Sequence, residues 1–243
     1  NMIGLIERAD AYPHELSGGM AQRVALGRAI ASGADLILLD EPLSALDVML
    51  RIILRYEIRK MAKALDLTVI HVTHDQEEAM SIGDCIFVLR EGKVLEEGPP
   101  EKLFKTPKNP FTAYFIGESN FYIGSADNGV VKINSIELKS SSKLKGDVLV
   151  AIRTREVKIS LAKEKSPNSI KATVEETRFF GRVTKILLNF NDLRIVSELP
   201  TLRIKGLRKG DEVFINIDPE DVLLYRLEMV EAYPEIKEAI LNA

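Results

Sequence analysis

The 243-residue chain contains one cysteine, Cys85, so no disulfide can form within it. Cys85 opens the apolar stretch "CIFVL", where inert core packing is the expected role. No apolar run approaches the roughly 18 residues of a membrane-crossing helix. The opening "NMIGLIERAD" has no basic segment followed by an apolar core, which argues against a signal peptide. Cytosol is therefore the expected compartment. There is also little charge imbalance: the net charge is −3, with both signs spread along the chain. That balance gives no general pull toward nucleic acid or anionic lipid.

What is present falls into two patterns. Up to about Gly117, helical and strand signals alternate. Apolar spacing predicts helices over 21–32 and 48–65, the second with Leu50, Ile53, Leu54, Ile58, Met61 and Leu65 on its apolar face. Short strands are predicted at 36–39 and 68–73, and a short helix over 76–82 ended by Gly83. Strands at 85–89 and 93–96 flank "REG", a tight hairpin. Alternation of this kind implies an α/β fold with a largely parallel sheet. After Gly117 nearly every segment is a short strand candidate: 130–133, 148–153, 157–161, 170–177, 183–190, 213–217 and 222–225. This is the pattern of a small β-barrel or sandwich. The expected organisation is 1–117 α/β, 118–226 all-β, and 227–243 a terminal helical extension. Pro234 suits a first helical turn there, with Ile236, Ala239 and Ile240 on one face. "GDVLVAIRTREVKI" (146–159) resembles "GDEVFINIDPEDVLL" (210–224) with one inserted residue. Either hairpins simply look alike, or the β-domain holds two related units.

Three stretches carry chemistry. In "HELSGGMAQRVALGRAIA" (14–31), Ser17, Gly18 and Gly19 precede a helix whose first N–H groups lack internal partners. They form either an anion site or a plain Ser cap with glycines shaping the turn. In "LILLDEPLSALD" (36–47), an apolar strand runs into Asp40 and Glu41. Ligands gather at the carboxyl ends of such strands. One carboxylate could serve a hard cation such as Mg²⁺ while the other aims at a water; alternatively, both cap the next helix. In "VIHVTHD" (69–75), the odd spacing of His71 and His74 argues against a shared metal. His74 can reach the edge that carries Glu41. His71 and His14 read as structural.

Together these stretches resemble the ABC-transporter ATPase family. "LSGGM" is similar to its signature motif, "LILLDE" to its Walker B strand, "SALD" to its D-loop and "VTHD" to its switch histidine, in the right order and spacing. "EEGPPEKLFKTPKNPFTAYFIG" (96–117) and the β-region after it resemble importer ATPases with a C-terminal transport-associated OB-type domain, as in sugar, polyamine, sulfate and molybdate systems. The resemblance implies the C-terminal part of a P-loop NTPase domain followed by an OB-like domain. It implies ATP and Mg²⁺, with Asp40 holding the metal through water, Glu41 orienting or deprotonating the attacking water, and His74 contacting the γ-phosphate. Asp47 would link two subunits' sites, and Ser17, Gly18 and Gly19 would complete the site of the opposite subunit. The implied partners are a second ATPase subunit in a head-to-tail dimer and transmembrane permease subunits. The implied place is the inner face of the cell membrane. Nucleic acid is not an expected partner: no basic, aromatic-interleaved patch follows residue 120.

Two departures stand out. Met20 occupies a position where many members have Gln. More seriously, the phosphate cradle G-x-x-x-x-G-K-[ST] is absent. The one Gly-Lys pair, Gly92–Lys93, is followed by Val94 and has Phe87 where the first Gly belongs. The expectation is an ATP-hydrolysing importer subunit whose 243 residues alone are inactive. The alternative is a non-catalytic regulatory or small-anion-binding module derived from one.

Overall fold

The computed structural model describes residues 3–191, 193–203 and 206–241. They divide into two compact units. The first comprises Asn1–Ile86 with Gly98–Glu101; the second comprises Phe87–Glu97 with Lys102–Ala243.

In the first unit α1 (Gly18–Ala31), β1 (Leu36–Asp40), α2 (Val48–Ala64), β2 (Thr68–Val72) and α3 (Gln76–Ile82) follow in order. β1 and β2 pair in parallel, Leu36 opposite Thr68 through Asp40 opposite Val72. Side chains alternate across a strand. Ile37 and Leu39 therefore point inward, into a core with Leu26, Leu43, Leu46, Leu54, Ile58 and Met61. Leu36, Leu38, Ile70 and Val72 are exposed on the opposite side, Leu38 by 69%. The apolar face expected for α2 is only partly buried: Leu54, Ile58 and Met61 are in the core, but Ile53 and Leu65 are exposed. The expectation for Cys85 is corrected too. It is exposed, because the chain enters β3 only at Ile86 and Cys85 belongs to the preceding bend.

Next in the chain comes the hairpin β3 (Ile86–Arg90) and β4 (Lys93–Gly98), of which the second unit takes Phe87–Glu97. Glu91 and Gly92 both have positive φ, 50° and 73°, the geometry of a two-residue turn that matches strand twist. After α4 (Pro100–Lys105) and α5 (Pro110–Phe115) come ten strands. They are β5 (Ser119–Asp127), β6 (Val130–Ile133), β7 (Ile136–Lys139), β8 (Gly146–Arg153), β9 (Lys158–Ser160), β10 (Ser169–Phe179), β11 (Val183–Phe190), β12 (Leu193–Pro200), β13 (Glu212–Asn216) and β14 (Leu223–Arg226). They form two five-stranded antiparallel sheets, ordered β12-β11-β10-β13-β9 and β14-β8-β5-β6-β7. One core joins them, with Val148, Val150 and Ile152 from one sheet and Ile186, Leu188, Ile195, Val213 and Ile215 from the other. α6 (Pro234–Leu241) buries Ile236 in a second cluster with Phe121, Leu149, Tyr225 and Tyr233.

The sequence repeat has a structural counterpart. Each copy is a strand, a 3-10 turn and a second strand: β8, Thr154–Glu156, β9, and β13, Pro219–Asp221, β14. Val157 and Val222, which follow the turns, are both buried. The copies interlock. β8 pairs with β14, Val150 opposite Leu224. β13 pairs with β9, Ile215 opposite Ile159. Aligned positions of the repeat thus meet in the same register in both sheets, an internal two-fold relation.

Candidate nucleotide site

Asp40 ends β1 on the strand's exposed side. The chain then turns sharply. Glu41 has φ 44°, a left-handed conformation that costs a non-glycine residue about 1–2 kcal/mol. Bonds on both sides hold it. Its N–H donates to Val72 O at 2.9 Å, and its carbonyl accepts from Gln22 Nε2 and from Ser44 Oγ, each at 2.9 Å. The turn sends the Glu41 carboxylate toward β2's end, where Oε1 lies 3.1 Å from His74 Nδ1. The side chains are 48% and 72% exposed, so the pair is open to solvent.

The other sequence-identified groups lie at the start of α1, at the cap of α2 and in β2. Ser17 caps α1, its Oγ accepting from Met20 N at 3.3 Å. Gly18 and Gly19 form the first turn. A Cβ at Gly18 would meet nothing within 4 Å, whereas one on Gly19 would come within 3.0 Å of Leu46 Cδ2. Bare backbone at Gly19 therefore lets the helix start approach the 44–47 segment. Asp47 caps α2 by accepting from Leu50 N at 2.9 Å, so the cap of α2 is neither Asp40 nor Glu41. His71 lies inside the unit and pairs with the buried Glu78 of α3.

Sequence reasoning missed the support behind His74. Asp75 caps α3 through Glu78 N at 3.0 Å, and Arg51 and Arg55 of α2 both reach its Oδ2. Partial burial pushes the Asp75 carboxyl up, but the Glu78 N–H and the two guanidiniums outweigh it and hold the group below the usual carboxylate range. Arginines four apart on one helix face were the available signal.

Among the described residues no group of three His, Cys, Asp or Glu side chains could by itself hold a metal ion. Mg²⁺ commonly keeps several waters and takes one or two carboxylates plus substrate phosphates. A single exposed Asp40 fits that mode of binding and does not fit an all-protein cage.

Residues 2–44 match the family described as ABC transporter, and residues 150–224 match the TOBE domain. The curated relatives are import ATP-binding proteins. The sulfate/thiosulfate import ATP-binding protein CysA of Halalkalibacterium halodurans is 34% identical over 212 residues, 85% of this chain and 59% of that protein. The spermidine/putrescine import ATP-binding protein PotA of Ureaplasma parvum is 37% identical over 225 residues, 91% of this chain and 42% of its own length. The Fe(3+) ions import ATP-binding protein FbpC of Fusobacterium nucleatum is 31% identical over 230 residues, 92% of this chain and 62% of that protein. The chain thus carries an ABC transporter segment and a TOBE domain. More particularly, the relatives it is similar to over most of its own length are ATP-binding proteins of importers. It spans about 42–62% of the length of these three relatives.

Proposed function

We propose that this chain is the signature, Walker B and switch-histidine portion of an importer's ATP-hydrolysing subunit, followed by its TOBE domain. The observation that carries the reading is the Glu41–His74 contact at the end of β1, beside Asp40; Glu41 lies inside the ABC-matching segment 2–44 and His74 beyond it. Glu41 orients or deprotonates the attacking water. His74 holds Glu41 from behind and meets the γ-phosphate. Asp40 would hold Mg²⁺ through water, and the ion, when bound, would offset charge on the phosphates. Ser17, Gly18 and Gly19 offer backbone N–H groups to the nucleotide of an opposite subunit, and Asp47 joins the two sites. ATP closes the head-to-tail dimer and hydrolysis reopens it, moving permease subunits in the membrane. The working place is the cytoplasmic face of that membrane. No helix among the described residues is long and apolar enough to cross it.

Phosphoryl transfer relies on positioning and charge stabilisation, and the sequence has no G-x-x-x-x-G-K-[ST] cradle. The 243-residue chain alone should therefore release no phosphate from ATP. In an assembly that supplies a phosphate loop, Glu41→Gln should lower turnover by about 10²–10⁴-fold with ATP binding retained. Phosphate release and nucleotide titration measure both. A loss of less than about tenfold, below that range, removes Glu41 from the role. Turnover by the isolated chain that vanishes in Glu41→Gln would show a complete site and overturn the inactivity.

A further inference from the structure

Arg51 occupies a position that the roles assigned above leave unexplained. It sits in the first turn of α2, four residues after the cap Asp47, and its N–H donates to Asp47 O at 2.9 Å. Its side chain turns back along the helix start. Nη2 donates to Leu46 O at 3.2 Å and to Ser44 O at 3.4 Å. Nη1 donates to Asp75 Oδ2 at 3.3 Å. One planar guanidinium thus grips two consecutive structures: the backbone that delivers Asp47 and the residue next to His74. Arg55, one turn on, reaches the same Oδ2 at 2.5 Å, and its other nitrogen faces Glu77 at 3.7 Å. It touches Asp75 from α2 without holding the 44–47 carbonyls. Asp75 in turn fixes its own loop. Its N–H donates to Thr73 Oγ1 at 3.0 Å, and its Oδ1 caps α3. His74 is clamped between Thr73 and Asp75.

We infer that Arg51 is a positioning residue that transmits displacement of the Ser44–Asp47 segment to His74, through Asp75, and so couples the subunit-facing segment to the hydrolytic pair. This deepens the reading above and rests on it for the meaning of Asp47 and His74; the mechanical link itself does not. Lysine cannot replace arginine here, because a single ammonium has no fork with which to hold a carboxylate and two carbonyls at once.

The link can be tested on the 243-residue chain without ATP. Asp47→Asn changes the charge in the segment and keeps a good helix cap. The ring resonances of His74, one of three histidines, are followed by NMR in wild type, Asp47→Asn, Arg51→Gln and the double variant. Asp47→Asn is expected to move the His74 signals in the wild-type background, and Arg51→Gln to shrink that movement at least about threefold, as a double-mutant cycle detects coupling. If Arg51→Gln does not fold, Arg51→Lys is read in its place, with the same expectation. An undiminished shift in the Arg51 variant overturns the inference, and so does a His74 signal indifferent to Asp47→Asn. A field effect through space would give the former. The Glu41→Gln turnover test is independent: failure there with coupling intact removes the ATPase reading and leaves the link standing.

Discussion

At the scale of single residues, two buried or half-buried charges in the β-unit decide stability. Arg153 ends β8 and turns toward the helices before β5. Its Nε donates to Phe104 O at 2.8 Å, and Nη1 serves the carbonyls of Ala113, Ile116 and Gly117 at the end of α5. The guanidinium lies over the Phe104 ring, 4.4 Å from its centroid. Burial pulls its pKa down to about 10, so it remains charged at neutral pH. A cation at a helix C-terminus satisfies carbonyls that no backbone donor reaches. Arg153→Ala should cost about 2–4 kcal/mol, since charged hydrogen bonds and a cavity are lost together; chemical denaturation measures it. Asp221 behaves oppositely. Burial first, then Glu156, Asp218 and Glu220, push its carboxyl up to about 6, against a smaller pull from Lys158. A carboxyl raised on folding binds more protons in the folded state, so stability falls as pH rises between about 4 and 6. Asp221→Asn should flatten that slope and raise the melting temperature at pH 7. Solvent screening at this part-exposed site keeps the gain to about 1 kcal/mol or less. Thermal melts from pH 4 to 8 test the sign.

At the scale of elements, what could be read from the sequence depended on how local the cause was. The turns Glu91–Gly92 and Asn128–Gly129, all four residues with positive φ, show themselves as short sequences. Regular alternation marks β11, where Thr184, Ile186, Leu188 and Phe190 point inward. β5, β7 and β12 were not foreseen. β5 contains the buried Asn120, whose side chain is satisfied by Ile152 and Val196, the second 76 residues away. A polar residue with such distant partners breaks the apolar alternation. β5 also contains Gly124, where a Cβ would lie 2.7 Å from Lys132 O and 3.1 Å from Val131 Cγ2. Glycine there permits the close approach of β6. Gly124→Ala should destabilise by about 1–3 kcal/mol through overpacking, read as a lower denaturation midpoint with unchanged slope. In the candidate site, strand-end carboxylates and motif order made Glu41 and His74 readable. The bridge from Arg51 to Asp75 crosses 24 residues; the Arg51–Arg55 spacing marks a helix face, but nothing local names its partner.

At the scale of the whole molecule, the change of sequence pattern near residue 118 and the packing of the chain differ. The second unit takes in residues from Phe87 onward. The link between α4 and α5 is held from three sides: Tyr225 of β14 donates to Pro107 O, Asn109 Nδ2 donates to Tyr233 Oη just before α6, and Glu96 of β4 accepts from the N–H groups of Lys108 and Asn109. A fragment starting at 87 should therefore melt cooperatively and at a higher temperature than one starting at 118, which leaves Arg153 and Tyr225 without those partners. Circular dichroism on both fragments compares them. Equal melting temperatures would mean that these contacts contribute nothing.

The interlocked repeat has a further consequence, for the path by which the chain folds. Neither copy can complete a ladder by itself: β8 waits for β14, with Val150 and Leu224 far apart along the chain, and β9 waits for β13. Closing such long loops costs entropy before any contact rewards it, and folds dominated by distant pairing form slowly, in milliseconds to seconds. A chain growing from its N-terminus cannot finish either sheet until the second copy has emerged. β8, paired on one side by β5, spends that interval with its other edge open, and β9 waits without its β13 partner; an open strand edge invites another chain. The symmetry of the finished domain thus makes its last two strands, β13 and β14, the ones on which escape from misassembly depends.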